Sequence, residues 1–572
     1  MIWLLAAALP LIAACALAPA RTRRVAERWL IPLSPALALG LALALDGEAR
    51  SHVQWLLLGT YFGFGEAGRI VLAFTALLWL IAGVYASVYL ADDPRRGRFF
   101  LFFALAMSGN LGLVMAQDLA SFYMFFALMT FCAYGLVVHN GDAEAYRAGR
   151  IYLVAAIFGE VLLLAAVLLA AAEMDTLMLR EVRAAVALSE SRDLIVLLAF
   201  AGFGVKAGAV LVHFWLPVVY PVAPLPASAV LSGAMINAGL WGWLNFLPLG
   251  EGAFAGWSAV LVTAGLVAAF GAALIGLTQR ESKAALAYSS VSQMGVITAV
   301  LGIGLIEAGA WTLVLPAVAL FAVNHGLAKG ALFLGLGVVA RTAGTQRVLA
   351  IGALALMALA IAGAPWTGGA IAKHATHVAL GIIGRDSTDP LPVMMTLSSV
   401  ATALVLTHFV ALVSRSEPGN GSTGTVIGMV APWLVLVVCA ALGMPLTAGY
   451  LGLEIDTGMR DVRDALWPIV FGVMLYLAGR RALQARAPRI PPGDIVVLLE
   501  GAVRWTGTVM AKLPRPRPAV WQLNFVHAVE ELGASERSRD LSRRLELRLE
   551  RWDNAALAFI AVVLALALLL WL

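Results

Sequence analysis

Apolar residues in this chain come in long unbroken blocks, not in the alternating or one-faced patterns of a soluble fold. About sixteen of these blocks are long enough to cross a bilayer, since a spanning helix needs about 20 mainly apolar residues. They fall near 1–19, 28–45, 69–92, 99–117, 118–138, 150–172, 194–218, 224–248, 256–278, 284–305, 310–340, 347–384, 389–413, 425–448, 465–483 and 554–572. In hydrocarbon the backbone finds no water to bond, so a helix that satisfies its own N–H and C=O groups is the natural solution. The pattern predicts an all-α polytopic membrane protein. Block 1–19 lacks a basic leading region and a small-residue cleavage site, so it reads as the first span and not as a signal peptide.

Two blocks are interrupted. Block 347–384 is too long for one helix and contains Ala364-Pro365-Trp366-Thr367-Gly368-Gly369. Block 194–218 ends in Trp215-Leu216-Pro217 and runs into a Pro-rich stretch. Pro and Gly are frequent in membrane helices generally, but a pair of broken helices, one in each half, is how inverted-repeat transporters build their ion sites.

Loops after odd-numbered blocks carry Arg21, Arg23, Arg24, Arg95, Arg96, Arg147, Arg150, Arg280, Lys283, Arg341, Arg347 and Arg415. Loops after even-numbered blocks are poor in Lys and Arg, and Arg180, Arg183 and Arg192 are balanced by glutamates. The positive-inside rule then places the N-terminus outside. The sizeable hydrophilic stretch 486–553 would be cytoplasmic, with prolines at 488, 491, 492, 514, 516 and 518 and two amphipathic helices near 493–512 and 520–552. Its charge-rich part, Glu536 to Arg551, reads either as a solvated face or as a surface lying along the membrane or a partner.

Composition agrees with this reading. Hydrophobic residues make up 61% of the 572 and charged residues 13%, with a mean hydropathy of +0.89. The net charge of +5 comes from arginines spread over the loops, a topology signal and not a nucleic-acid footprint. Cys15, Cys132 and Cys439 lie in apolar blocks without CxxC or Cys/His spacing, so neither a metal site nor an iron–sulfur cluster is expected. No Walker loop is present, and no GxGxxG follows a strand. No cofactor is therefore expected, and the energy source would be an ion gradient or a partner protein.

The few charges inside the blocks carry the functional signal. Glu160 lies in the sixth, Lys206 in the seventh, His325 and Lys329 in the eleventh, and Lys373 and His374 in the twelfth. A charge at mid-membrane costs roughly 2.5–3.5 kcal/mol on insertion scales, so three lysines and a glutamate add up to about 10 kcal/mol. That is comparable to the net stability of a domain. Fixed salt bridges between helices are the plainer use of any one pair; proton handling is the reading for the set. Burial of an amine favours its neutral form, so movement of a neighbouring carboxylate can load or unload a proton. His325 and Lys329, four residues apart, share a helix face. His374 and His377 read as ordinary helix residues.

Four motifs then carry a resemblance. Residues 204–243 read GVKAGAVLVHFWLPVVYPVAPLPASAVLSGAMINAGLWGW, followed by SKAALAYSSVSQMG (282–295), NHGLAKGALFLGLG (324–337) and PWTGGAIAKHA (365–375). In this order they resemble the antiporter-like proton-translocating subunits of the complex I superfamily: NADH:quinone oxidoreductase, membrane-bound and formate-hydrogenlyase-type hydrogenases, and Mrp Na+/H+ antiporters. The resemblance covers about residues 100–410. It implies two inverted five-helix repeats, each with a broken helix. Lys206 matches the lysine of the first broken helix, Lys329 with His325 the central connecting position, and Lys373 the charged residue of the second broken helix. Lys283 matches the lysine preceding the tenth span, where positioning, lipid contact and transport all remain open. Two residues depart from the pattern: Ala127 stands where the family has a fifth-span glutamate, and Asn237 replaces a common lysine. Glu160, one span later, is the candidate replacement for the missing carboxylate.

The expected organisation is 1–98, N-terminal helices; 99–250 and 251–415, the two repeats; 416–485, further spans; 486–553, the cytoplasmic segment; and 554–572, a last span. The expected function is H+ movement within a larger complex in a bacterial inner membrane, with other membrane subunits and the lipid bilayer as partners. Competing readings are an Mrp-type antiporter moving Na+ as well, the proton-driven module of an inorganic-carbon transporter, and a non-conducting scaffold.

Overall fold

A computed structural model describes residues 1–45, 50–382, 390–417, 419, 423–452, 459–486 and 490–493. Residues 1–52 and 60–494 form one compact unit; a second unit groups 53–59 with residues beyond 494, and within it only the turn 53–59 is described. The expected final span 554–572 lies outside the described residues, as does nearly all of the segment 486–553.

The first unit is a helical assembly. Its helices are α1 (Ile2–Cys15), α2 (Ala20–Ala44, with a π-helical turn), α3 (Glu66–Tyr89), α4 (Arg96–Met115), α5 (Leu119–Val137), α6 (Ala143–Ala172), α7 (Val182–Leu188), α8 (Arg192–Ala207), α9 (Leu216–Val222) and α10 (225–246). There follow α11 (Ala255–Leu277), α12 (Ser282–Ile303), α13 (Ala310–Val339), α14 (Gly344–Ala362), α15 (Gly368–Ile382), α16 (Leu391–Arg415), α17 (Thr423–Tyr450) and α18 (Met459–Arg486). Every apolar block between residues 1 and 485 coincides with helix, and twelve helices are long and apolar enough to cross a membrane. The chain is a multi-pass, all-α membrane protein. Two three-residue strands, β1 (Ser51–Val53) and β2 (Thr60–Phe62), sit in the connection between α2 and α3.

Two successive sets of helices follow the same order. In each, a closely packed helix pair (α4 with α5, α11 with α12) leads to a 30-residue helix (α6, α13) and then to a broken helix (α8–α9, α14–α15). Tight pairing requires small residues: a Cβ on Gly295 of α12 would stand 2.6 Å from the Ala269 backbone nitrogen of α11, the close approach by which membrane helices associate. α13 forms the centre, packing on α3, α10, α12, α14, α15 and α17. α12 is buried on all sides from Ala284 to Ile303, so polar side chains on it face protein and not lipid.

The second break falls at 363–367, within the interruption the sequence predicted. The first lies earlier than expected. α8 stops at Ala207, and Trp215-Leu216-Pro217 begins the next half-helix. Pro217 takes an early helical position, where a missing N–H costs nothing because that group has no intrahelical partner. The signal read as a stop is a start.

Candidate functional site

α8 terminates where Gly208 adopts φ +76°, a left-handed backbone that glycine enters without steric penalty. The last turn leaves carbonyls without helical partners. Ala209 N donates to Gly204 O at 2.9 Å, and the Trp215 indole donates to Val205 O at 2.7 Å. Lys206, in this last turn, is buried. Its Nζ donates to Tyr152 Oη at 3.0 Å and lies 5.3 and 5.9 Å from the ring centroids of Tyr152 and Trp215. Tyr152 Oη in turn donates to Thr130 O at 2.7 Å. The ammonium is thus held by a hydroxyl and two aromatic faces, the latter contributing about 0.5–2 kcal/mol each.

Glu160, two turns beyond Tyr152 on α6, is also buried. It lines a cavity with Lys206, Tyr152, Thr130, Trp215 and Phe126. Glu160 and Lys206 form no ion pair within 4.0 Å, and neither carboxylate oxygen has a hydrogen-bond partner. The cavity offers about 10 Å³, close to the space one water centre occupies, about 10–15 Å³. Small residues bring the two helices to this distance. A Cβ on Gly202 of α8 would meet the Leu163 backbone nitrogen of α6 at 3.0 Å, and one on Gly159 would meet Val205 Cβ at 3.0 Å. Ala127, at the position of the missing fifth-span carboxylate, lies one turn before Thr130 on α5.

At the centre Lys329 is fully buried. Its Nζ donates to Leu286 O at 3.1 Å and to Ser289 Oγ at 2.8 Å, both on α12. His325 lies one turn earlier on α13 and is buried, and neither ring nitrogen has a hydrogen-bond partner. The shared face of the pair produces no His325–Lys329 bond, because the lysine turns toward α12. Asn237 is buried in α10 just past a π-helical turn, Leu231–Met235. Its Nδ2 donates to Gly233 O at 2.7 Å, satisfying a carbonyl in that irregular segment. Lys283 Nζ donates to Pro221 O at 2.8 Å and Ala223 O at 2.9 Å. With Asn140 Nδ2 on Val222 O at 2.9 Å, it fastens the C-terminal end of α9. The bonding is that of a positioning residue.

The second break repeats the first in mirror order. α14 stops where Gly363 takes φ +88°, and the lysine comes from the following half-helix. Lys373 Nζ reaches back to Ala362 O, the last carbonyl of α14, and to Ser399 Oγ at 2.7 Å. Asn324 Nδ2 donates to Ala360 O at 3.3 Å. His374, the next residue on α15, is exposed.

The structure thus joins Glu160 to Lys206 through one cavity and places Lys329 and Lys373 each on a hydroxyl. Asn237, Lys283 and His374 lie apart. Tyr152, Thr130, Trp215, Ser289 and Ser399 were not singled out from sequence. Tyr152 alone carried a signal, being eight residues before Glu160 and therefore on the same helix face. Among the described residues no set of three or more His, Cys, Asp or Glu side chains is placed to hold a metal.

Ion pairs form away from the three lysines: Arg96, at the start of α4, meets Glu27 of α2 at 2.9 Å, and His139 meets Asp93 at 3.0 Å between helix connections. Burial lowers the His139 imidazole below its ordinary value despite the opposing pull of Asp93. Burial alone would raise Asp93, but the Arg95 backbone amide and His139 outweigh it and hold the carboxyl below its usual range.

Residues 116–380 match the family described as NADH:quinone oxidoreductase/Mrp antiporter, transmembrane. The chain is 28% identical over 362 residues to Hydrogenase-4 component B of Escherichia coli (strain K12), covering 59% of this chain and 54% of that protein. It is 27% identical over 401 residues to Na(+)/H(+) antiporter subunit A1 of Staphylococcus haemolyticus (strain JCSC1435), covering 63% and 49%. The chain therefore spans about half the length of these curated relatives. Its fold is similar to that in the structure of the Mrp complex from Dietzia sp. DQ12-45-1b, with TM-score 0.72 and 20% identity over 93% of this chain and 62% of that one. It is also similar to that in the membrane-bound sulfane sulfur reductase, an archaeal respiratory membrane complex, with TM-score 0.65 and 19% identity over 83% and 99%.

Proposed function

We propose that this chain, whose residues 116–380 match the NADH:quinone oxidoreductase/Mrp antiporter family, moves H+ across a bacterial inner membrane as one subunit of a larger complex. Glu160, Lys206, His325, Lys329 and Lys373 carry the proton in this reading. Asn237 and Lys283 shape the path, and His374 stands outside it. The segments 99–250 and 251–415 act as paired half-channels, and the N-terminus faces outward, as the loop arginines suggest.

One observation supports this above the rest: two buried lysines, Lys206 and Lys329, and the half-buried Lys373 make hydrogen bonds to hydroxyls and carbonyls, and among the described residues none is locked in an ion pair. A structural lysine in hydrocarbon would be expected to sit against a carboxylate. Lys206 instead shares a cavity of about 10 Å³ with Glu160, where a displacement of the carboxylate would strengthen or weaken their attraction. Movement of the carboxylate toward the amine favours the charged form, and movement away favours release.

The test is gradient-driven H+ uptake in membrane vesicles bearing the assembled complex. Glu160→Gln abolishes uptake while the subunit remains in the membrane; uptake at the wild-type rate in that variant removes Glu160 from the path.

A further inference from the structure

Lys329 and Lys373 lie on different helices, and no hydrogen bond joins them. Between them stand two polar faces that the account so far leaves unused. α12 carries Ser289 and Gln293, four residues apart; α16 carries Ser399 and Thr402, three apart, so each pair shares one face of its helix. Lys329 Nζ meets Ser289 Oγ at 2.8 Å. Gln293 Nε2 donates to Thr402 Oγ1 at 2.8 Å. Lys373 Nζ meets Ser399 Oγ at 2.7 Å. All four polar side chains are buried.

We propose that Ser289, Thr402 and Ser399 form the bridge by which a proton passes between Lys329 and Lys373, with Gln293 holding Thr402 at its closed point. The inference rests on the proposed function and adds the route between its second and third lysines. A hydroxyl can accept one proton while giving up its own, so serine and threonine end each passage unchanged. The ammonium of Lys329 loses a proton, the neutral amine of Lys373 gains one, and nothing is consumed. The steps along each helix are one turn, about 5–6 Å between Cβ atoms, a distance that one water bridges.

The middle contact behaves differently. The amide nitrogen of Gln293 only donates, and Thr402 commits its own hydrogen to Ser398 O at 2.8 Å. In this geometry the contact hands nothing on. Passage requires Thr402 to turn its hydrogen from Ser398 O toward Ser399 and to accept a replacement from a water that Ser289 reaches past the amide; the amide relays nothing and holds the hydroxyl against that turn. Gln293 is accordingly a positioning residue, and Thr402 is the hydroxyl that conducts or blocks.

Polar residues also glue membrane helices together, so the test must separate conduction from adhesion. The full chain, assembled with its partner subunits in sealed vesicles, is given a K+/valinomycin potential, and H+ uptake is followed with a pH dye. Thr402→Val keeps the shape and removes the hydroxyl; it lowers the initial rate about tenfold or more, and Thr402→Ser restores it. Ser289→Ala, a smaller change to the fold, lowers the rate likewise. The bridge is overturned if assembled Thr402→Val and Ser289→Ala conduct like wild type while Lys373→Ala does not. If Lys373→Ala also conducts like wild type, the proposed function itself falls.

Discussion

At Gly208 and at Gly363 a membrane helix ends in the same left-handed turn, and a lysine lies at each stop: Lys206 in the last turn of α8, Lys373 reaching back from α15. The two ends are finished differently. At the first, a neutral group, the Trp215 indole, takes the Val205 carbonyl, and Lys206 is left to Tyr152, with Glu160 lining the same cavity. At the second, the ammonium of Lys373 is itself the cap on Ala362 O. The negative end of a helix dipole favours a cation by about 0.3–1 kcal/mol, and up to about 2 where partly buried, so each break offers its lysine a partial counter-charge in place of a carboxylate. Lys206 can change partners without undoing the helix end. Lys373 cannot: when it turns away it uncovers a carbonyl, so in the proposed relay its loading would be tied to the shape of the break.

The most severe way to probe this difference is to add a methyl group at each turn. Alanine in a left-handed conformation costs about 1–2 kcal/mol at either glycine. At Gly363 the new Cβ would also stand 2.7 Å from Lys373 Nζ, whereas at Gly208 the nearest atom, a Leu216 methyl, is 3.3 Å away. Gly363→Ala should therefore lower both thermal stability and H+ uptake, and Gly208→Ala stability chiefly. Thermal unfolding in detergent and uptake in vesicles, measured on both variants, would break the comparison if Gly208→Ala proved the more damaging to transport.

A smaller effect sharpens it from outside the membrane. The His139–Asp93 contact lies between the connections of α3–α4 and α5–α6 and involves neither break. A carboxyl held below its ordinary value stabilises above the unfolded value, about 3.9, and that stabilisation is lost as pH falls through the lower native value. An imidazole held below its ordinary value stays neutral where the unfolded chain binds a proton, so acidification below about pH 6.5 also destabilises. Both signs agree. Thermal stability should decline gently from about pH 6.5 downward, by no more than about 1 kcal/mol because water partly screens the Asp93 carboxylate, and His139→Gln should flatten the upper part of that slope. A slope unchanged in the variant would assign the acid sensitivity elsewhere.

Much of the fold was legible because hydrocarbon enforces it: each apolar block from 1 to 485 became helix, and the second break announced itself in Ala-Pro-Trp-Thr-Gly-Gly. The first break was misplaced because Trp-Leu-Pro can close one helix or open the next, while the real stop, Gly208, stands among other glycines that are merely packed. The lysines were visible through their expense. Their partners were harder to see: Ser289 and Ser399 have nothing in composition or spacing to distinguish them from the many hydroxyls that bond within their own helices, as Thr298 does to Met294 O, and Tyr152 has only its eight-residue spacing from Glu160. Only the facing of α12 with α16, and of α5 with α6 and α8, makes them part of a path.

Lys329 stands where the two halves meet, and the most direct measurement is H+ uptake by vesicles carrying the assembled complex with Lys329→Met, which keeps much of the side chain's length and removes its charge. The account predicts uptake no faster than in vesicles without the chain, at wild-type amounts of assembled subunit. Uptake at the wild-type rate would contradict it.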